Sequence, residues 1–206
     1  MTVIGLTGGI ASGESTAASF LRERGAHVID ADRLGHRAYE PDTEAFRAVV
    51  DAFGEDIVAA DGQLDRRALG GKVFGKPQVL KQLTDIVWPE IRRLAEIEIE
   101  ATLREDPARL VVLEAAVLLE AGWEDIGDEI WVVTVHRDIA IARAMARDGT
   151  DQAAVQARID SQLSNDERAS RADVVLDNSG SEAELLELLE AQWQRVSAVT
   201  IPREAS

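Results

Sequence analysis

The chain has 206 residues, 46% of them hydrophobic, with 38 acidic side chains against 22 Lys plus Arg and a formal net charge of −16. The length suits about one domain, and the lack of cysteine excludes disulfides, thiolate metal sites and a cysteine nucleophile. The charge excludes a broad nucleic-acid or anionic-membrane surface, since either needs a basic face. An anionic ligand therefore has to be held by a local cluster of arginine and backbone N–H groups, because lysine occurs only at Lys72, Lys76 and Lys81.

In chain order, residues 3–7 form a short apolar run ending in Gly8-Gly9, which predicts a buried strand. A helix over 16–24 follows, stopped by Gly25. Further strands are expected at 27–30, 111–113, 130–135 and 173–176, with helices at 77–103, 138–147, 151–166 and 181–197. Strands alternating with helices, and apolar without alternation, predict an α/β fold with a doubly wound, parallel five-stranded sheet buried on both faces. Residues 54–76, rich in Gly, Asp and Arg, read as part of a mostly helical insertion, and the tail after Pro202 as frayed. No repeat or linker divides the chain, so residues 1–206 are expected to be a single domain. The first ten residues lack a basic segment, and the longest apolar stretch, 110–119, is interrupted by Glu114 and too short for a bilayer. The expectation is a cytoplasmic protein with neither membrane nor nucleic acid as partner, monomeric or weakly self-associating.

The first strand runs into Gly8-Gly9-Ile10-Ala11-Ser12-Gly13-Glu14-Ser15-Thr16. This fits the phosphate-loop pattern G-x-x-x-x-G-K-[ST] at every fixed position except the lysine. Glycines let successive backbone N–H groups turn inward on phosphate oxygens, and the helix N-terminus adds partial positive charge there. ATP is the expected ligand of residues 8–16, with the Ser15 hydroxyl on Mg²⁺. Glu14 stands where lysine would reach the β- and γ-phosphates, a swing of two charge units beside a polyanion. One unit pair at 4 Å is worth about 4 kcal/mol at an effective dielectric near 20. The competing reading is a plain Gly-rich strand-to-helix turn, in which a carboxylate in the first helical turn gains roughly 0.3–1 kcal/mol from the dipole.

Further motifs follow in order: Asp30-Ala31-Asp32, Glu40-Pro41, Trp88-Pro89, Glu114, Arg143, Arg147-Asp148-Gly149, Gln162, Ala172-Asp173 and Asn178. With the opening Gly5-Leu6-Thr7-Gly8-Gly9-Ile10, this series resembles the dephospho-coenzyme A kinase family over about residues 2–198. The resemblance implies an adenylate-kinase-like phosphate-loop core, a helical substrate-binding insertion including 54–90, and a lid within 138–171. It implies transfer of the ATP γ-phosphoryl group to the ribose 3′-hydroxyl of dephospho-CoA, the last step of coenzyme A synthesis, with ATP and Mg²⁺ as cofactors. Three residues depart from the family pattern: Glu14 for the usual lysine, Trp88 where His often precedes Pro, and Asp42 where Gly usually follows Glu-Pro. The first implies impaired turnover; the other two bear on the substrate side.

Asp32, at the end of the second strand, is implied as the carboxylate that orients and deprotonates the ribose hydroxyl; from spacing alone it reads equally as a helix N-cap. Asp30 reads as a structural carboxylate. Arg143 and Arg147, one turn apart, are candidates to clamp phosphates, against the alternative of surface pairs with Asp138 or Asp148. Arg168 and Arg171 are weaker candidates for the same work. Glu114, past a central strand, is read as an outer carboxylate near the metal or a plain hydrogen-bond acceptor. His36 reads as a surface residue, and His27 and His136 are too dispersed to form a metal triad with it. Two functions compete with the kinase: a non-catalytic nucleotide- or CoA-binding pseudokinase, favoured by Glu14, and a kinase for another small alcohol.

Overall fold

The computed structural model describes residues 2–200, with the side chains of 199 and 200 left aside; the tail expected beyond Pro202 lies outside the described residues. The chain gathers into two compact units, one taking in the chain up to Ile29 and from Ile99 on, the other Asp30–Glu98.

The first unit is built on strands β1 (Thr2–Gly8), β2 (His27–Asp30), β3 (Leu110–Glu114), β4 (Glu129–Thr134) and β5 (Val174–Asp177), in the order β2-β3-β1-β4-β5. β1 pairs in parallel with β3 and β4, and β4 with β5. All seven residues of β1 are buried, as expected of a central strand covered on both faces. Helices α1 (Glu14–Glu23) and α9 (Glu182–Thr200) cover one face. Ala17, Ala18, Phe20, Leu21, Leu185 and Leu189 pack there against Ile4, Leu6, Val112, Trp131 and Val133. The strand order reverses at β1, which connects to β2 and β3 on one side and has β4 on the other. In such sheets ligands bind beyond the carboxyl ends of the strands at this reversal.

The region 138–171 forms α6 (Arg137–Asp148), α7 (Gln152–Asp160) and α8 (Asn165–Ser170). The single helix expected over 151–166 is corrected to two. Ser164 starts a new helix through a capping box, accepting from Glu167 N while Glu167 accepts from Ser164 N. Satisfying the amides of a fresh helix start in this way ends the previous helix before it.

The second unit holds α2 (Ala31–Ala38), α3 (Glu44–Phe53), α4 (Arg66–Val73) and most of α5 (Pro77–Glu105). The sequence expectation assigns no helix to α2 and α3. Thr43 caps α3 by accepting from Phe46 N, and Asp65 caps α4 by accepting from Arg67 N and Ala68 N.

Candidate functional site

The phosphate-loop motif takes the shape its glycines require. A Cβ on Gly8 would lie 2.3 Å from Ser12 Oγ and 2.6 Å from Val133 O. Gly13 has φ 109, and a Cβ there would lie 2.3 Å from Asn178 Nδ2. Between them Ala11 holds φ 57, a left-handed conformation rarely adopted by residues with a side chain. Ser12 N–H donates to Gly9 O at 3.0 Å, which closes the turn. The buried Asn178 ties the loop to the end of β5: its N–H donates to Thr134 O at 2.8 Å and its Nδ2 to Ser12 O at 2.7 Å.

The helix after the loop starts at Glu14 with no side-chain cap. The first-turn amides of such a helix have no intrahelical acceptor and present the positive end of the dipole. Glu14 is half-buried and its Oε1 accepts from Ser12 Oγ at 3.1 Å. Arg147 lies within the field of Glu14: the Asp148 carboxylate, through its hydrogen bond and charge, and then Glu14 raise the proton affinity of the Arg147 guanidinium. Ser15 Oγ, exposed, donates to Glu114 Oε1 at 3.2 Å. The β1–β3 register causes this meeting by setting Glu114 opposite Leu6, two residues before Gly8. Thr16, half-buried on α1, follows Ser15.

The sequence candidates on α6 differ. Arg143 is half-buried and makes no hydrogen bond or ion pair among the described residues. Arg147 Nε meets Asp148 Oδ1 at 2.7 Å, and Asp148 Oδ2 also accepts from Arg158 Nη1 at 2.8 Å. The surface pair with Asp148 is therefore formed. Arg168 and Arg171 are anchors: Arg168 Nη2 bonds Glu120 Oε1 at 2.7 Å, and Arg171 bonds Leu119 O at 2.9 Å and Glu124.

In the second unit, Asp30 is the N-cap of α2, its Oδ1 accepting from Asp32 N at 2.9 Å and Arg33 N at 3.2 Å. The N-cap alternative for Asp32 is thereby corrected: β2 runs through 30, so the cap falls on Asp30 and Asp32 takes the second helical position. The Asp32 carboxylate is exposed and has no partner among the described residues. His36 is exposed as well, and among the described residues no group of three or more His, Asp and Glu could hold a metal ion.

The structure thus brings residues 8–16 and Glu114 together, with Arg147 within the electrostatic reach of Glu14. Sequence reasoning assigned no role to two residues that shape this place, nor to a buried hydroxyl beside it. Asn178 braces Ser12 and Gly13; Gln162 Oε1 accepts from Ile10 N at 3.2 Å; and Thr7, wholly buried before Gly8, has a hydroxyl without a partner among the described residues. Asn178 and Gln162 stood in the motif series, but their partners lie 166 and 152 residues away.

Comparison with known proteins adds the family. The CoaE model, dephospho-CoA kinase, matches residues 2–184. A dephospho-CoA kinase of Geobacter sulfurreducens is 45% identical over 195 residues, covering 95% of this chain and 98% of the relative. The solved structure of TT1252 from Thermus thermophilus superposes with a TM-score of 0.77 at 38% identity, covering 94% of this chain and 97% of that one. The dephospho-CoA kinase of Campylobacter jejuni, 24% identical, shares the fold with a TM-score of 0.63 over 96% of this chain and 98% of its own.

Proposed function

The chain belongs to the dephospho-CoA kinase family, and on that premise we propose that it transfers the γ-phosphoryl group of ATP to the ribose 3′-hydroxyl of dephospho-CoA, at a rate held down by Glu14. The observation that carries the reading is the loop itself. Neither Gly8 nor Gly13 has room for a Cβ, and the helix that follows begins without a side-chain cap. A curled backbone opening onto an uncapped helix start is a cradle for phosphate oxygens.

The residues present fit a nucleotide with its divalent cation at every point but one. Ser15 Oγ, with Glu114 at 3.2 Å behind it, is an all-oxygen pair suited to Mg²⁺ and its water shell. When bound, that ion supplies neutralisation of charge on the β- and γ-phosphate oxygens. The Asp32 carboxylate, exposed and unengaged, accepts the ribose proton as the hydroxyl attacks. Arg143, without a partner of its own, and Arg147 stabilise the charge on the transferring group. The exception is Glu14. Its carboxylate puts negative charge at the position where the motif has a cation, and it draws on Arg147, which the phosphates also need.

The second reading, a pseudokinase that binds nucleotide or CoA without turnover, is favoured by Glu14 alone. Restoring the motif decides between them. Losing one preorganised electrostatic contact commonly costs 10²–10³ in rate, roughly 2.7–4 kcal/mol. Glu14→Lys should therefore gain at least about 10² in turnover with dephospho-CoA, ATP and Mg²⁺. Calorimetric titration of both forms with each substrate accompanies the assay. Binding of both without turnover in the Glu14→Lys form would support the pseudokinase; binding of neither would overturn both readings. Asp32→Asn in the Glu14→Lys form should abolish turnover while leaving dephospho-CoA affinity within about tenfold, because the amide keeps the shape and loses the base.

A further inference from the structure

The first half of the phosphate loop is held by α6, α7 and the corner that follows them. Ile10 and Ala11 pack on a small apolar cluster formed by Ile141, Ala144 and Val155 of α6 and α7. Just past α7, Gln162 N–H donates to Ile159 O at 3.1 Å, and the same residue's Oε1 accepts the Ile10 amide proton at 3.2 Å. The corner that carries Gln162 is itself fixed. Asn165 Nδ2 donates to Val135 O at 2.8 Å, just beyond β4. Arg168, 2% exposed, bonds Leu163 O and Glu120. Its Nη1 lies 3.6 Å from the point where a Gly9 Cβ would stand. Gln162, Asn165 and Arg168 line, together with Gly9 and Ile10, a cavity of about 360 Å³.

We propose that Gln162 is a positioning residue of the phosphate loop, acting through the Ile10 amide. The inference deepens the reading that this loop holds a triphosphate. Ala11 at φ 57 is not in a relaxed conformation, so the loop keeps its curve only where neighbours over-determine it. Apolar packing holds Ile10 and Ala11 in place but is non-directional. One hydrogen bond to the Ile10 amide sets the orientation of the Gly9–Ile10 peptide plane, whose carbonyl end accepts from Ser12 N–H, and so fixes the backbone one residue before Ala11. The cradle is thereby formed before a ligand arrives, and preorganisation of this kind favours both binding and transfer.

Amide hydrogen exchange tests this on the chain as it stands. In Gln162→Met, which keeps similar bulk and loses the amide acceptor, exchange at Ile10 should quicken by about five- to tenfold, the size of one net hydrogen bond. Amides of β3 should not change, and Gln162→Glu, which keeps an acceptor oxygen, should restore the protection. Unchanged Ile10 exchange in Gln162→Met would overturn the proposal. A second arm uses the Glu14→Lys form, where Gln162→Met should raise KM for ATP about three- to tenfold with KM for dephospho-CoA unmoved. Equal rises in both constants, tracking a fall in melting temperature, would mean a merely structural residue and overturn it too. Ile10 exchange that responds to Gln162, in a Glu14→Lys chain that binds no nucleotide, would uphold the clamp and defeat the function assigned to the loop.

Discussion

Arg147 and Arg168 each meet a carboxylate oxygen at 2.7 Å, and the carboxylates are similarly exposed at 24% and 22%, yet the two guanidinium side chains differ sharply in burial. The Arg147 side chain is 58% exposed and shares Asp148 with Arg158; that of Arg168 is 2% exposed and closed in against Glu120. An exposed pair gains little, because water and salt compete with it, and either partner leaves easily for a better one. A pair with one buried member is costlier to break, because Glu120, though 22% exposed, already has one buried oxygen, Oε2, without a hydrogen bond among the described residues. Arg147 is thus suited to exchange Asp148 for an arriving phosphate, and Arg168 to stay where it is. On the proposed function, one guanidinium is free to serve the ligand while the other holds the frame around Gly9. Equal length and equal chemistry in the sequence conceal this difference, which burial alone creates.

The largest expected effect breaks the comparison from the buried side. Arg168→Met should cost about 2–4 kcal/mol of stability by urea unfolding, because it leaves Leu163 O without its donor and Glu120 Oε1 with only a long 3.5 Å bond from Leu163 N. Adding Glu120→Leu should recover much of that loss, as buried pairs replaced by apolar side chains often do. A single-variant cost below about 1 kcal/mol would put Arg168 in the same class as Arg147.

Gly13→Ala should come next, at roughly 1–3 kcal/mol. Its φ of 109 is strained for any side chain, and the new Cβ would displace the Asn178 amide from Ser12 O. Because the damage falls on the loop and not on the Arg168 corner, nucleotide affinity should fall as well. Loss of stability with affinity intact would show that Asn178 braces the strand end and not the cradle.

Much of the frame was legible in the sequence, for local reasons. Uninterrupted apolar runs located all five strands within about two residues, and β2 (His27–Asp30) agreed at both ends. The phosphate loop could be read because its glycines are demanded by the local backbone, and Glu14 announced itself by breaking the motif. The Ser164–Glu167 capping box was also present in the sequence. Hydrophobic periodicity does not reveal the helix it starts, which is short and carries no apolar stripe. What could not be read depends on long-range meetings. Asp30 and Asp32 compete for one cap, and only the end of β2 awards it to Asp30. Arg168 meets Glu120 across 48 positions, and nothing within its own helix marks it as buried. Asn178 and Gln162 act on the loop from the far end of the chain, where spacing carries no information.

The smallest expected effect sharpens the comparison from the exposed side. Hydrogen bonds from Arg147 first and then Arg158, with the charges of both, hold the Asp148 carboxyl well below its ordinary value of 3.8. A carboxylate lowered on folding contributes stability that is fully present above the unfolded value and is lost as pH falls through the folded one. The Asp148 contribution should therefore be constant from neutral pH down to about 4 and fade only in stronger acid. Asp148→Asn removes it at all pH values. The melting temperatures of the parent and this variant should differ slightly at pH 7 in low salt and converge below pH 3.8. They should converge also in about 1 M salt, where the screening length shrinks to roughly 3 Å. On the proposed function, the same substitution takes away the partner that Arg147 would leave to reach phosphate. In the Glu14→Lys form, ATP affinity should then hold or rise while stability barely moves. An Asp148→Asn variant that unfolds as readily as Arg168→Met, or that loses ATP affinity, would make Arg147 part of the frame and erase the distinction between the two arginines.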